Sequence, residues 1–591
     1  MRVLLSALSV VIAGAAGAQQ AADGVAPEGV GVGEFSGLGP RVEAALASKA
    51  EGAPVVAQDW MVAAAHPLAV QAGADALAAG GTAADALVAV QVTLGLVEPQ
   101  SSGLGGGAFL VWYDAASGAL TTLDGRETAP LAATPQRFLD ADGQPLKFYD
   151  AVVGGRSVGV PGTPALLAEV HERWGKLPFA DLTAPAIALA EEGFAVSPRL
   201  AGLIAEDVER LGRFQATADY FMPGGAPLEA GDRLTNAAYA QTLRMMTRDP
   251  ASFYTGDNAA AIVAAVGGAM DGAGLLSAVD LSIYDVRERA PVCVTYRAHD
   301  VCGMGPPSSG AVAVGQILGL LEGYDLSAGP QDATVRRLMG DAARLAFADR
   351  GRYLADTDYV PVPVKGLVDP DYLAARAGQL AGEKALDEVA PGAPEFDHAL
   401  NRADDRSIEL PSTSHITIVD GAGNVASMTT TIENGFGSRI MVNGYLLNNE
   451  LTDFSFASHE DGVPIANRVE PGKRPRSSMA PTIVMKDGAP VLALGSPGGS
   501  RIIGYVAEAI VASLDWGMDP QQAVSVPHAV NRFGTYDLEE GTAATELSGP
   551  LADMGYEVNA TALTSGLHLI AIGDDLRGGA DPRREGIVLG D

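Results

Sequence analysis

The chain has 591 residues, a formal net charge of −33 at pH 7 and only two cysteines. That charge argues against nucleic acid as a partner, because phosphate binding needs clustered basic residues, and fits an exported protein kept soluble by like-charge repulsion. Two cysteines cannot build a Cys-based zinc site, and neither a His-Glu-x-x-His nor a phosphate-loop pattern is present, so no metal and no cofactor is expected.

The first 18 residues join one early positive charge to an apolar centre and an Ala16-Gly17-Ala18 ending. This reads as a cleavable export signal and implies a periplasmic or secreted protein. No later stretch approaches the roughly 20 uncharged residues of a membrane span. Residues 19–54, rich in Gly, Ala and Val without periodicity, are expected to be a loosely ordered mature N-terminus. From Met61 to Leu96 two Ala-rich helical patterns are split by Gly80-Gly81, and Thr82 is placed to cap the second. Ser102-Gly-Leu-Gly-Gly-Gly107 mimics part of a dinucleotide loop but precedes a strand rather than a helix, which favours a tight turn. Strands are expected at 108–113 and 119–123.

Helical segments follow over 160–285 and 308–382, such as Pro164 to Trp174 and Val335 to Phe347. Between them, Cys293 and Cys302 flank a segment short enough for a hairpin. In an exported protein this points to one disulfide, the alternative being two unpaired core residues. A polar, Pro-rich run from Asp387 to Ser412 looks like the end of a polypeptide. Strand pairs are then expected at 415–419 with 424–431, 482–486 with 490–494, and 567–572 with 586–589. Helices covering both faces of stacked antiparallel sheets fit this order.

Thr413 stands at the junction, after the Pro-rich run and before the alternating Ile416-Thr-Ile-Val419. A chain break there would make it an N-terminal nucleophile whose own α-amine, with a pKa near 8, accepts the hydroxyl proton. Taken alone, Thr413 is equally an ordinary first residue of a strand.

Dense motifs decide between these readings. Thr413-Ser-His-Ile-Thr-Ile-Val-Asp-Gly421, Leu446-Leu-Asn-Asn-Glu-Leu-Thr-Asp453, Lys473-Arg-Pro-Arg-Ser-Ser-Met479 and Gly495-Ser-Pro-Gly-Gly-Ser-Arg501 resemble the γ-glutamyltransferase family, in that family's order. Asp124-Gly-Arg-Glu127 and Pro306-Pro-Ser-Ser-Gly310 agree, and the similarity runs from about residue 55 to the end. The resemblance implies a four-layer αββα fold of the N-terminal nucleophile hydrolases. It also implies self-cleavage between Ser412 and Thr413 into a large subunit (55–412) and a small subunit (413–591) that stay together as a heterodimer. The partners it implies are small γ-glutamyl donors and amino-acid or peptide acceptors.

A γ-glutamyl donor presents an α-carboxylate, an α-ammonium and an amide carbonyl. By resemblance Arg126 grips the carboxylate with its two-pronged guanidinium, and Ser477 and Ser478 add hydroxyl donors. Glu450 and Asp453 take the ammonium, Gly498 and Gly499 form the oxyanion hole, and Thr431 supports Thr413. Two departures stand out. Where the family often has Asn, two residues past Thr431, this chain has Glu433, read as a third, exposed acid that favours an ammonium-bearing donor. The stretch from Phe454 to Lys473 is also short where some relatives carry a loop over the site. This keeps open a β-lactam side-chain acylase, while an inactive secreted binding protein is the alternative outside the enzymes.

Overall fold

The computed structural model describes residues 38–591 apart from 271, 399, 400, 406, 408 and 411. The expected export signal lies outside the described residues. Within the segment expected to be loosely ordered, a helix runs over Pro40–Ala50 with Val42 and Ala45 buried, packed against the strand Ile587–Gly590.

Two seven-stranded sheets form the centre, and every pairing in both is antiparallel. One runs Ile587–Gly590, Met61–Ala64, Ser414–Val419, Val425–Thr431, Gly107–Asp114, Ala119–Gly125, Arg287–Arg289. The other runs Val55–Ala57, Leu576–Ala580, His568–Ile572, Ala489–Gly495, Thr482–Lys486, His299–Gly303, Val292–Tyr296. Because successive strand side chains point to opposite faces, each strand feeds two layers. Met61 and Ala63 join Val111, Ile483, Ala493 and Ile570 between the sheets. Val62 and Ala64 join Ile416, Ile418 and Leu110 beneath the helices Pro67–Ala78 and Ala83–Val97. On the far side, Val484, Leu494 and Leu569 meet the helices Gly310–Leu321, Ala333–Tyr353 and Ile502–Leu514. The order is helix, sheet, sheet, helix, as expected.

Local signals account for much of this. The side chain of Thr82 accepts the Asp85 N–H while Asp85 accepts the Thr82 N–H at 2.9 Å, so two orphan donors of the buried helix Ala83–Val97 are satisfied reciprocally. Cys293 and Cys302 lie directly opposite in a hairpin and are bonded, with Cα atoms 4.1 Å apart.

Two expectations are corrected. Met61–Ala64 opens no helix but is a strand buried along its whole length, and a short, wholly apolar run carries no period that separates strand from helix. Segments 567–572 and 586–589 do not pair: His568–Ile572 pairs with Leu576–Ala580, whereas Ile587–Gly590 crosses to the other sheet beside Met61–Ala64. The missed strand reads Leu-Arg-Gly-Gly-Ala, a composition poor in strand formers that is held in place by its neighbours. Among the described residues, no helix is long and apolar enough to cross a membrane.

Candidate active site

Strands Ser414–Val419 and Val425–Thr431 pair with Ser414 opposite Thr430, which brings Thr413 and Thr431 together at one end of the sheet. The two hydroxyl oxygens are 3.3 Å apart, and Thr431 Oγ1 donates to the Ser412 carbonyl at 3.3 Å. Thr413 Oγ1 also contacts the Ser412 carbonyl, on the bond that precedes it. Arg584 donates to the Thr413 carbonyl at 3.1 Å, and Ser412 Oγ donates to the Gln100 carbonyl at 3.1 Å, so both flanks of the junction are held. The Ser102–Gly107 run is a packed turn rather than a phosphate loop: a side chain on Gly106 would run into the Thr431 carbonyl.

A small pocket is lined by Ser412, Thr413, Thr431, Arg126, Glu433, Glu450, Asp453, Ser477, Ser478 and Gly499. Gly498 precedes Gly499 in the turn that leads into the helix Ile502–Leu514. Both glycines have positive φ, 135° and 57°, and a side chain on Gly499 would meet the Leu410 main chain at 2.8 Å. The expected site residues therefore converge on one place, at the end of a strand pair and the start of a helix.

Arg126 is fully buried. It pairs with Glu450 and, at 2.5 Å, with Asp453, and donates to the Arg476 carbonyl at 2.9 Å. Read from sequence, the arginine and the two acids are ligands for opposite charges on a substrate. In the fold they also bind one another, so an incoming carboxylate and ammonium would insert into an existing ion-pair cluster. Glu450 and Asp453 sit on a short 3₁₀ turn, Glu450–Asp453, preceded by a strand of only two residues, Tyr445–Leu446.

Glu433 is not an exposed charge. It is buried, with positive φ; its N–H donates to Thr431 Oγ1 at 2.8 Å and its carboxyl accepts from the Asn449 side chain. Burial, with Asp453 and Glu450 adding to it, pushes the Glu433 carboxyl well above the usual carboxylate range. Burial likewise raises Asp453 and Glu450, opposed by Arg126. One oxygen on each of the three, Glu433 Oε1, Glu450 Oε2 and Asp453 Oδ1, is buried without a hydrogen-bond donor. Three acceptors around one cavity suit a group with three N–H donors, such as an ammonium.

The structure adds residues that sequence reading missed. Glu409, expected at the polar end of a chain, is buried in the same pocket as Thr413. Its carboxyl takes the Ser478 hydroxyl and the Arg350 guanidinium, and Arg476 lies 3.5 Å away. Arg350 also donates to Ser478 Oγ and Ser309 Oγ, each at 2.8 Å, and the Ser309 hydroxyl donates to the Ser477 carbonyl at 2.6 Å. Ser477 Oγ accepts the Met479 N–H at 3.1 Å. Behind the strand Ser414–Val419, Ser414 Oγ donates to Glu98 at 2.7 Å, and Glu98 is paired with Arg199. Glu98, Arg199, Arg350 and Glu409 lie outside the motifs read from sequence, and each is defined by a partner far away along the chain.

A family model described as Gamma-glutamyltranspeptidase matches residues 69–590. The chain is 38% identical over 551 residues to a glutathione hydrolase proenzyme of Bacillus subtilis (strain 168), covering 90% of this chain and 92% of that one. It is 35% identical over 552 residues to the Acylase ACY 1 proenzyme of Pseudomonas sp. (strain SE83), covering 91% and 94%. Among solved structures it matches a cephalosporin acylase from Bacillus halodurans with TM-score 0.80 and 28% identity, over 91% of this chain and 97% of that one. The Helicobacter pylori gamma-glutamyltranspeptidase matches with TM-score 0.55 and 34% identity, over 57% and 96%.

Glu409 also sets how the fold responds to acid. Burial alone would raise its carboxyl, but Arg350, Arg476 and the Ser478 hydroxyl outweigh it and hold the group at about 2, down from 4.5. A carboxyl depressed on folding stabilises the protein above its unfolded value and loses that contribution as pH falls through the folded one. Glu409→Gln, made in a Thr413→Ala background, should therefore lower the urea midpoint at neutral pH. The gap to its parent should close as pH falls from about 4.5 to about 2. A gap independent of pH would show that Glu409 contributes shape rather than charge.

Proposed function

Because the chain belongs to the γ-glutamyltranspeptidase family, we propose that it cleaves γ-glutamyl amides, glutathione among them, through a γ-glutamyl ester on Thr413. The ester is passed to water or to an amino-acid or peptide acceptor. The observation that carries this reading is the set of three donorless carboxyl oxygens around Arg126 in the cavity that also holds Thr413. Such a site fits a group bearing both an ammonium and a carboxylate.

Self-cleavage comes first. Thr413 Oγ1 attacks the Ser412 carbonyl, the acyl group shifts from nitrogen to oxygen, and water releases Ser412 as a carboxylate and Thr413 as a free α-amine. In turnover that amine takes the Thr413 hydroxyl proton as the oxygen attacks the γ-carbonyl. The N–H groups of Gly498 and Gly499 hold the resulting oxyanion, the proton passes to the departing amine, and an ester remains. The protein is exported, to the periplasm or beyond, and works as a heterodimer of residues up to 412 with residues 413–591. Names of relatives that are proenzymes support the processing step.

An acylase acting on β-lactam side chains is the second reading, favoured by the fold match to a cephalosporin acylase. Matched γ-glutamyl and glutaryl anilides, with and without a dipeptide acceptor, separate the two: faster turnover of the glutaryl anilide would overturn the first.

Mass spectrometry should find a C-terminal fragment beginning at Thr413, and Thr413→Ala should remain one chain without activity. An active preparation whose fragment starts elsewhere would refute the nucleophile assignment. Arg126→Lys keeps the charge but loses the fork, so kcat/KM for γ-glutamyl donors should fall at least about tenfold, roughly 1.4 kcal/mol. Cleavage at Thr413 should be largely spared, and unchanged donor kinetics would remove Arg126 from the carboxylate site. Glu433→Asn should narrow the preference for γ-glutamyl over glutaryl anilides by roughly tenfold, since a buried charged hydrogen bond to the ammonium becomes a neutral one. A preference left intact would mean that this carboxyl does not meet the ammonium.

A further inference from the structure

We propose that His528 is a positioning residue for the Ser496–Gly499 turn, acting through Tyr505 on one side of the turn and Gly566 on the other. The proposal rests on the reading above that this turn holds the oxyanion.

His528 is buried between two elements. Its Nδ1–H donates to Glu508 Oε2 at 2.6 Å, and Nε2 lies 2.7 Å from Ser565 Oγ. The connectivity Ser, His, Glu is that of a hydrolase triad, yet Ser565 is fully buried and its hydroxyl donates to Asp581. The three side chains are therefore a clamp rather than a second nucleophile. Glu508 is anchored by Arg336, whose other nitrogen donates to the Pro527 carbonyl at 3.2 Å, next to His528 itself. Asp581 is anchored by Arg583 at 3.1 Å.

Each jaw of the clamp carries one support of the turn. Glu508 lies in the helix Ile502–Leu514 one turn after Tyr505, whose ring packs on the His528 ring with centroids 4.2 Å apart. A methyl group on Gly498 would lie 2.8 Å from Tyr505 Cε2, so the bare Cα of Gly498 rests on that ring. Ser565 precedes Gly566, whose N–H donates to Ser496 Oγ at 3.4 Å and where a side chain would meet Pro497 Cγ at 2.6 Å. The turn is thus seated between Tyr505 and Gly566, and His528 fixes the separation of the two. Gly498, at φ 135°, adopts a backbone conformation that its own sequence does not enforce. A wall that keeps its N–H aimed is what an oxyanion hole requires, because misaimed donors lose most of their effect.

The test compares His528→Gln, Tyr505→Leu and Tyr505→Phe with the parent enzyme. A donor analogue ending in a boronic acid serves as probe, forming a tetrahedral adduct on the Thr413 oxygen that places a boron-bound oxygen where the oxyanion sits. His528→Gln and Tyr505→Leu should each lower kcat about tenfold with KM within about twofold, and should weaken the boronate in proportion to kcat. Tyr505→Phe, which keeps the ring, should behave as the parent. Parental kcat in Tyr505→Leu, or a loss confined to KM with boronate affinity unchanged, would overturn the proposal. Should His528→Gln fail to fold, the Leu and Phe pair at Tyr505 decides, since both leave the buried charges in place. If Thr413→Ala remains active the underlying reading falls. If it is inactive and Tyr505→Leu is normal, only this inference does.

Discussion

Everything at this site hangs on the register of one antiparallel pair. With Ser414 opposite Thr430, the residues just beyond, Thr413 and Thr431, meet at the sheet's end, and the Ser412 carbonyl falls between them. Because strand side chains alternate, a slip of one residue would move Ile416 and Ile418 out of the helix-facing core and turn both threonines away from each other. The apolar core therefore fixes the geometry: the same alternation that buries the isoleucines aims Thr413 at Thr431.

Around that pair the protein gathers an unusual amount of buried charge. Arg126, Arg350, Arg476, Arg584, Glu409, Glu433, Glu450 and Asp453 line the pocket or contact residues that do, and all are buried. Ions removed from water are tolerated only when paired and hydrogen-bonded, and removing one partner of a buried pair typically costs about 3–5 kcal/mol. Here the pairing is incomplete, since Glu433, Glu450 and Asp453 each keep one oxygen without a donor. That deficit is a reservoir of binding energy for a ligand that supplies N–H groups. The carboxyls sit above their usual range because burial disfavours the charged form, and for Asp453 the neighbouring Arg126 offsets this only in part.

The junction segment has two roles in the same space. Glu409 and Leu410 are packed against Ser478 and the Gly499 turn, with the Ser412 carbonyl seated beside Thr413 and Thr431. On the function proposed above, the same groups would seat this peptide bond and, later, a substrate, because an amide carbonyl and a threonine hydroxyl are common to both steps.

Local order in the sequence determined a good deal: the Thr82 cap, the Cys293 to Cys302 hairpin, the strands on either side of the Asp420-Gly421 turn, and the glycine-rich turns all follow from residues within a few positions of each other. The density of motifs around Thr413 also indicated which side chains gather beside it, as the shared pocket shows. Tertiary structure alone decided which sheet Met61–Ala64 and Ile587–Gly590 join, since a strand buried on both faces has no periodic signature. It alone showed that Arg126 pairs with Glu450 and Asp453, that Glu409 is drawn into the site, and that Glu433 is buried rather than exposed. Each of these depends on partners tens to hundreds of residues away, and a charge's environment is a property of what surrounds it in space, which no local pattern of residues records.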